Sequence, residues 1–274
     1  MKQRLVYIDN LRGFLIILVV LGHCIQFLDP DFDHNIVFRY IYSFHMPLFM
    51  FISGFVSYKS KYKWISIKRR FLQLVIPFIA WAMIGMEITN DYNWYWLTNP
   101  DTALWFLWVL FWIGTLHMAL SKLSKKLGIA EEVVFLSACI VFLGILFISK
   151  LSFGFHLLAW YLPFYCLGSI ARKYESILIP HLQDWRLIFG ILFVTSGFFW
   201  MRNDSPTFIQ SDSQALIFGY KFLVGFLGCI FFLSIIRVFE CNMLLLSKLG
   251  GGDFRSIRNP SIGYTLYCQY GFNY

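Results

Sequence analysis

The sequence predicts an all-α fold, a polytopic bundle of about eight transmembrane helices with an atypical short C-terminal segment. Three observations predict it. The 274 residues are 58% hydrophobic and only 14% charged, whereas a soluble domain carries about 25% charge and at this composition would expose large apolar patches. Apolar runs close to the roughly 20 residues that cross a bilayer recur along the chain. Lysine and arginine collect in alternate connecting segments, as the orientation of a multi-pass chain requires.

The expected spans lie near 13–28, 37–57, 71–89, 102–121, 133–149, 155–171, 187–201 and 215–236. The first follows Met1-Lys2-Gln3-Arg4 and runs into Phe27-Leu28-Asp29-Pro30 without a small-residue cleavage site, so it reads as a membrane helix rather than a removable signal. Spans five to seven are short and are expected to tilt little or to thin the bilayer locally. The connections are too short for a soluble domain and no repeat is visible, so residues 1–250 read as one membrane-embedded domain. Residues 251–274 read as an atypical tail, the remnant of a final span. The six cysteines lie in or beside spans without metal-ligand spacing, so neither a disulfide framework nor a metal is expected.

With the N-terminus in the cytoplasm, 19 of the 23 basic residues fall on the cytoplasmic side, and Arg39, Lys150, Arg202 and Lys221 remain outside. The expected location is therefore a plasma or inner membrane. Orientation and contact with anionic membrane lipid account for the basic excess, and no nucleic-acid partner is expected.

Candidate chemistry begins in the first span. Arg12 and His23 are eleven residues apart, which is about 20° beyond three full helical turns, so they share a face about 16 Å apart along the axis. The second span runs back across the membrane and carries His45 within Phe44-His45-Met46-Pro47-Leu48-Phe49. Two imidazoles are thus expected at similar depth on antiparallel neighbours. Ionisable residues inside a membrane are costly and point to function, although interhelical hydrogen bonding also uses them.

These residues carry a resemblance. Arg12, ten intervening residues and His23 resemble the arginine–histidine signature of the acyltransferase-3 family of integral membrane O-acyltransferases. Phe44–Phe49 with Phe51-Ile52-Ser53-Gly54-Phe55 resembles its second motif, especially in the polysaccharide O-acetyltransferase branch. Lys68-Arg69-Arg70-Phe71 through Ile76-Pro77-Phe78 resembles the third, with Gln73 where the family often has a second arginine. Trp105-Phe106-Leu107 and Tyr161-Leu162-Pro163-Phe164 with Gly168 share the family's look. The likeness covers about residues 5–250, whereas the chain ends on Ser261–Tyr267 and a short run to Tyr274 in place of the family's last helices.

The resemblance implies transfer of an acyl group, acetyl in the first instance, from cytoplasmic acetyl-CoA to a hydroxyl of a cell-envelope or surface polysaccharide. It implies that Arg12, Arg69 and Arg70 bind the phosphates of the donor, and that His23, with His45, is catalytic as general base or acyl carrier. A transporter or flippase without chemistry would use the same spans and midplane polar groups, and a shortened, inactive family member is the third reading. Other residues receive plainer roles. Arg39 either binds an anionic acceptor or snorkels to headgroups, and Lys221 snorkels. Trp94, Tyr95, Trp96, Trp105 and Trp108 read mainly as an interfacial aromatic belt. Ser53 with Gly54 reads as a close helix approach. Glu87, near the outer end of the third span, could orient a histidine, although nothing in the sequence couples the two, and His117, His156 and His181, at span ends or in a loop, receive no role.

Overall fold

The computed structural model describes residues 5–58, 64–89, 105–148, 154–202, 206 and 213–236. The expected tail at 251–274 and the tryptophans at 94 and 96 lie outside these residues. In chain order the helices are α1 (Val6–Leu28), α2 (Ile36–Ser57), α3 (Trp64–Arg70), α4 (Ile76–Thr89), α5 (Trp105–Leu127), α6 (Glu131–Ile148), α7 (Phe155–Lys173), α8 (Glu175–Asp184), α9 (Arg186–Phe198) and α10 (Gln214–Ser234). A π-helical turn, Phe71–Val75, joins α3 to α4. The described residues contain helices and no strands, so the fold is all-α.

Among the described residues, five helical stretches are long and apolar enough to cross a membrane: Val6–Leu28, Ile36–Ser57, Ile67–Ile88, Trp105–Leu127 and Ala215–Ser234. A sixth span arises if α8 and α9, bent by 74°, form one broken span. The expected seventh span is thus the longer arm of a kinked pair, 13 residues against the 10 of α8. The expected fifth and sixth spans are helices α6 and α7, which fall outside the apolar set. For α7 the reason is its place in the bundle: Leu158, Ala159, Leu162, Phe164 and Tyr165 are buried against protein, and a helix shielded from lipid tolerates polar and aromatic side chains. Helices facing lipid do the reverse. Ile17, Val20 and Leu21 of α1 and Trp81, Met83 and Ile84 of α4 are exposed.

Local sequence explains where the helices start and stop. Asn35 caps α2, its Oδ1 accepting from the amides of Val37 and Phe38 at 3.1 and 3.3 Å. α5 runs past its expected end at residue 121 to Leu127, because Lys125 and Lys126 in its last turn suit the negative end of the helix. Gly128, at φ 68°, then supplies the left-handed residue that ends it. At the far end of the bundle the carbonyls that finish α9 would otherwise be orphans. Arg39 Nε donates to the Trp200 carbonyl at 2.6 Å and its Nη2 to that of Phe198. Tyr40 donates to Val194 at 2.5 Å, Tyr220 to Ser196, and Lys221 Nζ to the Arg202 carbonyl at 2.8 Å. Arg39 and Lys221 therefore bind backbone carbonyls of this chain.

α2 and α7 form the central seam. A Cβ at Gly54 would run into the Tyr165 carbonyl, and a Cβ at Gly168 into the Phe51 carbonyl. The two glycines are reciprocal, one on each helix, and let the backbones touch. In lipid this close approach replaces the hydrophobic drive of water as the source of helix association. On the other flank of α2, Phe44 stacks on Phe232 of α10 at 4.7 Å and meets Phe193 of α9 edge-on at 5.3 Å.

Gly54→Ala is therefore expected to lower thermal stability in detergent by about 1–3 kcal/mol, the cost of overpacking a filled interface. Gly144→Ala on α6, where a Cβ meets nothing within 4 Å, is the control and should be neutral or stabilising by up to about 1 kcal/mol. Equal effects at the two positions would contradict the seam.

Candidate active site

At the end of the bundle that holds the start of α1, a cavity of about 290 Å³ opens between α1, α2, the π turn, α5 and α7. Arg12, Ser53, Ser57, Arg70, Gln73 and Tyr165 line it together with Val56, Leu74 and Leu110. Two cations expected to act together, 58 residues apart in sequence, thus face one space. Each is there for a local reason. Arg12 is half-buried, one residue after Leu11, which anchors α1 in the core. Arg70 is the last residue of α3, immediately before the π turn, and such turns shift the phase of the side chains around them. Its Nη1 donates to the Tyr165 hydroxyl at 3.2 Å. Arg69 is exposed and does not line the cavity.

Ser53 and Ser57 satisfy themselves within α2, donating to the carbonyls of Phe49 at 2.8 Å and Gly54 at 2.9 Å. Their oxygens keep accepting capacity, but two arginines and no described carboxylate among the lining residues make the cavity a place for an anion. Arginine forks pair well with phosphate.

The histidines stand further along α1 and α2. His45 is 3% exposed and its Nδ1 lies 2.7 Å from the Ile41 carbonyl. A carbonyl only accepts, so Nδ1 carries the proton, and in the neutral ring Nε2 is the accepting nitrogen. His23, on the next helix, is exposed, and both His23 and Arg202 lie near enough to His45 to act on it electrostatically. Gly22 lets the two helices meet here, because a Cβ would strike the Tyr42 ring. Tyr42 packs edge-on to His45 at 4.8 Å, and the Arg202 guanidinium lies over the other ring of this pair, 5.3 Å from the Tyr42 centroid. The arrangement therefore has two ends: an anion-accepting cavity at Arg12 and Arg70, and an imidazole pair farther along α1, with His23 about 16 Å from Arg12 along the helix.

Sequence reasoning missed three features. Tyr165 lies in a run of aromatic residues, and nothing marks it until α2 and α7 are packed. His117 lies in the interior of α5, 2% exposed. At the cytoplasm-expected end, Arg172 donates to Glu175 and to the Tyr7 hydroxyl, and Tyr7 donates to Glu175 at 2.7 Å, tying α1 to the α7–α8 corner. Trp105 and Trp108 are stacked inside the bundle, on Tyr161 at 5.2 Å and Phe78 at 5.6 Å. Among the described residues no cluster of three or more His, Cys, Asp or Glu side chains is arranged to hold a metal.

Comparison with known proteins places the chain in a family. Residues 5–251 match the acyltransferase-3 family, described as an acyltransferase domain. The nodulation protein NolL of Sinorhizobium fredii is 31% identical over 188 residues, 61% of this chain and 48% of that protein. NolL of Mesorhizobium japonicum is 29% identical over 207 residues, 69% of this chain and 54% of that protein. The chain spans about half the length of the curated relatives it matches. No solved structure matches it. Since the family match covers nearly all of its length, the chain belongs to the acyltransferase-3 family of membrane acyltransferases.

Proposed function

We propose that this protein transfers an acetyl group from cytoplasmic acetyl-CoA to a hydroxyl of a cell-envelope or surface polysaccharide. The observation that carries the reading is the two-ended arrangement along α1. Arg12 and Arg70 share one cavity, and His23 lies about two bilayer quarters away on the same helix beside His45. A donor with a charged phosphate end and a long neutral arm matches such a site. Arg12 and Arg70 take the phosphates, and the pantetheine arm follows α1 toward His23.

At the far end His23 accepts the proton of the acceptor hydroxyl as its oxygen attacks the thioester carbon. The new C–O bond forms, the C–S bond breaks, and the CoA thiolate leaves and is protonated in turn. His45 stands behind the reacting imidazole with its proton committed to the Ile41 carbonyl, so its role is to orient and polarise its neighbour. The exposed position of His23 suits an acceptor arriving from outside the helix pair. Family membership supports acyl transfer, and the anion-accepting cavity supports a phosphate-bearing donor. Membrane lipid is the surrounding partner, and the N-terminus is cytoplasmic.

Three measurements test this reading. In membranes given radiolabelled acetyl-CoA, label should enter envelope glycan, and His23→Gln should reduce it at least about a hundredfold while donor binding persists. His45→Gln should cost less. An equally active His23→Gln protein would refute the mechanism. Arg12→Ala should weaken acetyl-CoA binding, with Arg12→Lys recovering only part because a point charge does not reproduce the guanidinium fork; unchanged binding in both would remove Arg12 from the donor site. For topology, single cysteines replacing His34 and Lys125 in a cysteine-free background should react from opposite faces, with only the one at 34 labelled by an impermeant reagent on intact cells. Labelling of both would overturn the orientation.

A further inference from the structure

The strongest unexplained feature lies behind the donor cavity. His117 of α5 is 2% exposed and its Nε2 has no hydrogen-bond partner. A buried polar atom left unsatisfied is costly, and native proteins keep few of them. One side of the imidazole lies against Phe135 of α6 at 4.6 Å, and the ring meets Tyr165 of α7 edge-on at 5.2 Å. Tyr165 is fully buried, and the Gly54 contact fixes its backbone. Its hydroxyl reaches Arg70 Nη1 at 3.2 Å. The guanidinium itself occupies space that only a glycine leaves, since a Cβ at Gly114, one turn before His117, would overlap Nη1.

A chain of contacts thus runs from α6 through His117 and Tyr165 to the cation that lines the cavity. Arginine has many rotamers, and fixing one before a ligand arrives removes an ordering cost from binding. Phe135 and His117 limit the tilt of the Tyr165 ring, the tyrosine hydroxyl accepts from one arm of the guanidinium, and Gly114 leaves the slot in which that arm lies. Arg70 itself lines the cavity.

We infer that Tyr165, backed by His117 and given room by Gly114, is a positioning residue that presents the Arg70 guanidinium to the phosphate end of the acyl donor. The inference rests on the reading of this cavity as the donor site. It adds to that reading His117 and Gly114, which lie outside the cavity lining, and a role for Tyr165 exerted through Arg70 although the tyrosine also borders the cavity.

Acetyl-CoA binding to the full-length protein in detergent, measured together with its thermal midpoint, tests it. Tyr165→Phe should weaken binding about five- to tenfold, the cost of ordering one rotamer-rich side chain on binding, while the midpoint moves little. Gly114→Ala should weaken binding comparably, because it displaces the flexible end of Arg70 without altering its charge. His117→Ala should weaken it about threefold, and His117→Phe, which keeps the ring, should bind like the parent and unfold at a higher temperature. If His117→Ala fails to accumulate, His117→Leu fills the space without a ring and takes its place.

The deciding comparison is the double variant. Tyr165→Phe combined with Arg70→Ala should bind no worse than Arg70→Ala alone, because the tyrosine acts through the arginine. Additive losses, or a Tyr165→Phe protein that binds like the parent while Arg70→Ala is impaired, would overturn the inference and leave the donor cavity standing. An Arg70→Ala protein that binds acetyl-CoA like the parent would remove the cavity reading and the inference with it. A lower midpoint with unchanged affinity in the His117 and Gly114 variants would show a structural role only.

Discussion

The backbone contact between α2 and α7 is the constraint on which the rest of the molecule depends. Inside a bilayer, apolar side chains gain little by leaving lipid, so helices associate through close packing and polar contacts. Gly54 and Gly168 supply that packing reciprocally, each opening a place for a carbonyl of the other helix, where Cα–H groups can meet those carbonyls. α1 and α10 are then arranged on α2, and α5 and α6 on α7. Both helices also contain proline, Pro47 and Pro163. A proline removes one backbone donor and bends a helix, and buried positions within a bundle tolerate this where neighbouring groups compensate.

The seam also shapes the candidate site. Gly54 lies opposite the backbone of Tyr165, and the Tyr165 hydroxyl meets Arg70. A loosened seam would move the tyrosine and, through it, the arginine. Toward the other end, α2 carries His45 and Tyr42 to the flank where α1 presents His23 and where the end of α9 brings Arg202. The end of α9 is held by Arg39, Tyr40, Tyr220 and Lys221, whose donors take up carbonyls of residues 194–202. A cation at the edge of the imidazole pair is thus fixed by interactions that bind no ligand.

Much of the fold was legible from composition because the bilayer imposes a length and a polarity on each span. α2 matches its expected span to within a residue, and α1 and the α3–α4 unit end where expected but begin seven residues earlier, at Val6 and Trp64. α7 was legible as a helix but not as the central one, since its interior position follows from glycine contacts that no single segment encodes. The break between α8 and α9 was missed for a similar reason. Its residues pass as apolar on average, and the bend falls at Trp185 between two helices. For the site, helical periodicity related Arg12 to His23 directly, because both lie on one helix. The pairing of Arg12 with Arg70, the separation of Arg69 from the cavity, and the burial of His117 depend on how five elements pack. Arg39 shows the limit from the other direction: an arginine near the outer end of a span looks like a ligand group in sequence, and in the structure its donors are taken by the backbone of α9.

In the proposed function one extended donor bridges Arg12 and His23 along α1. A structure of the protein bound to a non-hydrolysable thioether analogue of acetyl-CoA tests it most directly. The account predicts the phosphates against Arg12 and Arg70 in the cavity beside Tyr165, and the carbonyl of the analogue beside His23. Phosphates bound at any other face of the bundle, or a carbonyl remote from His23 with the cavity empty, would contradict it.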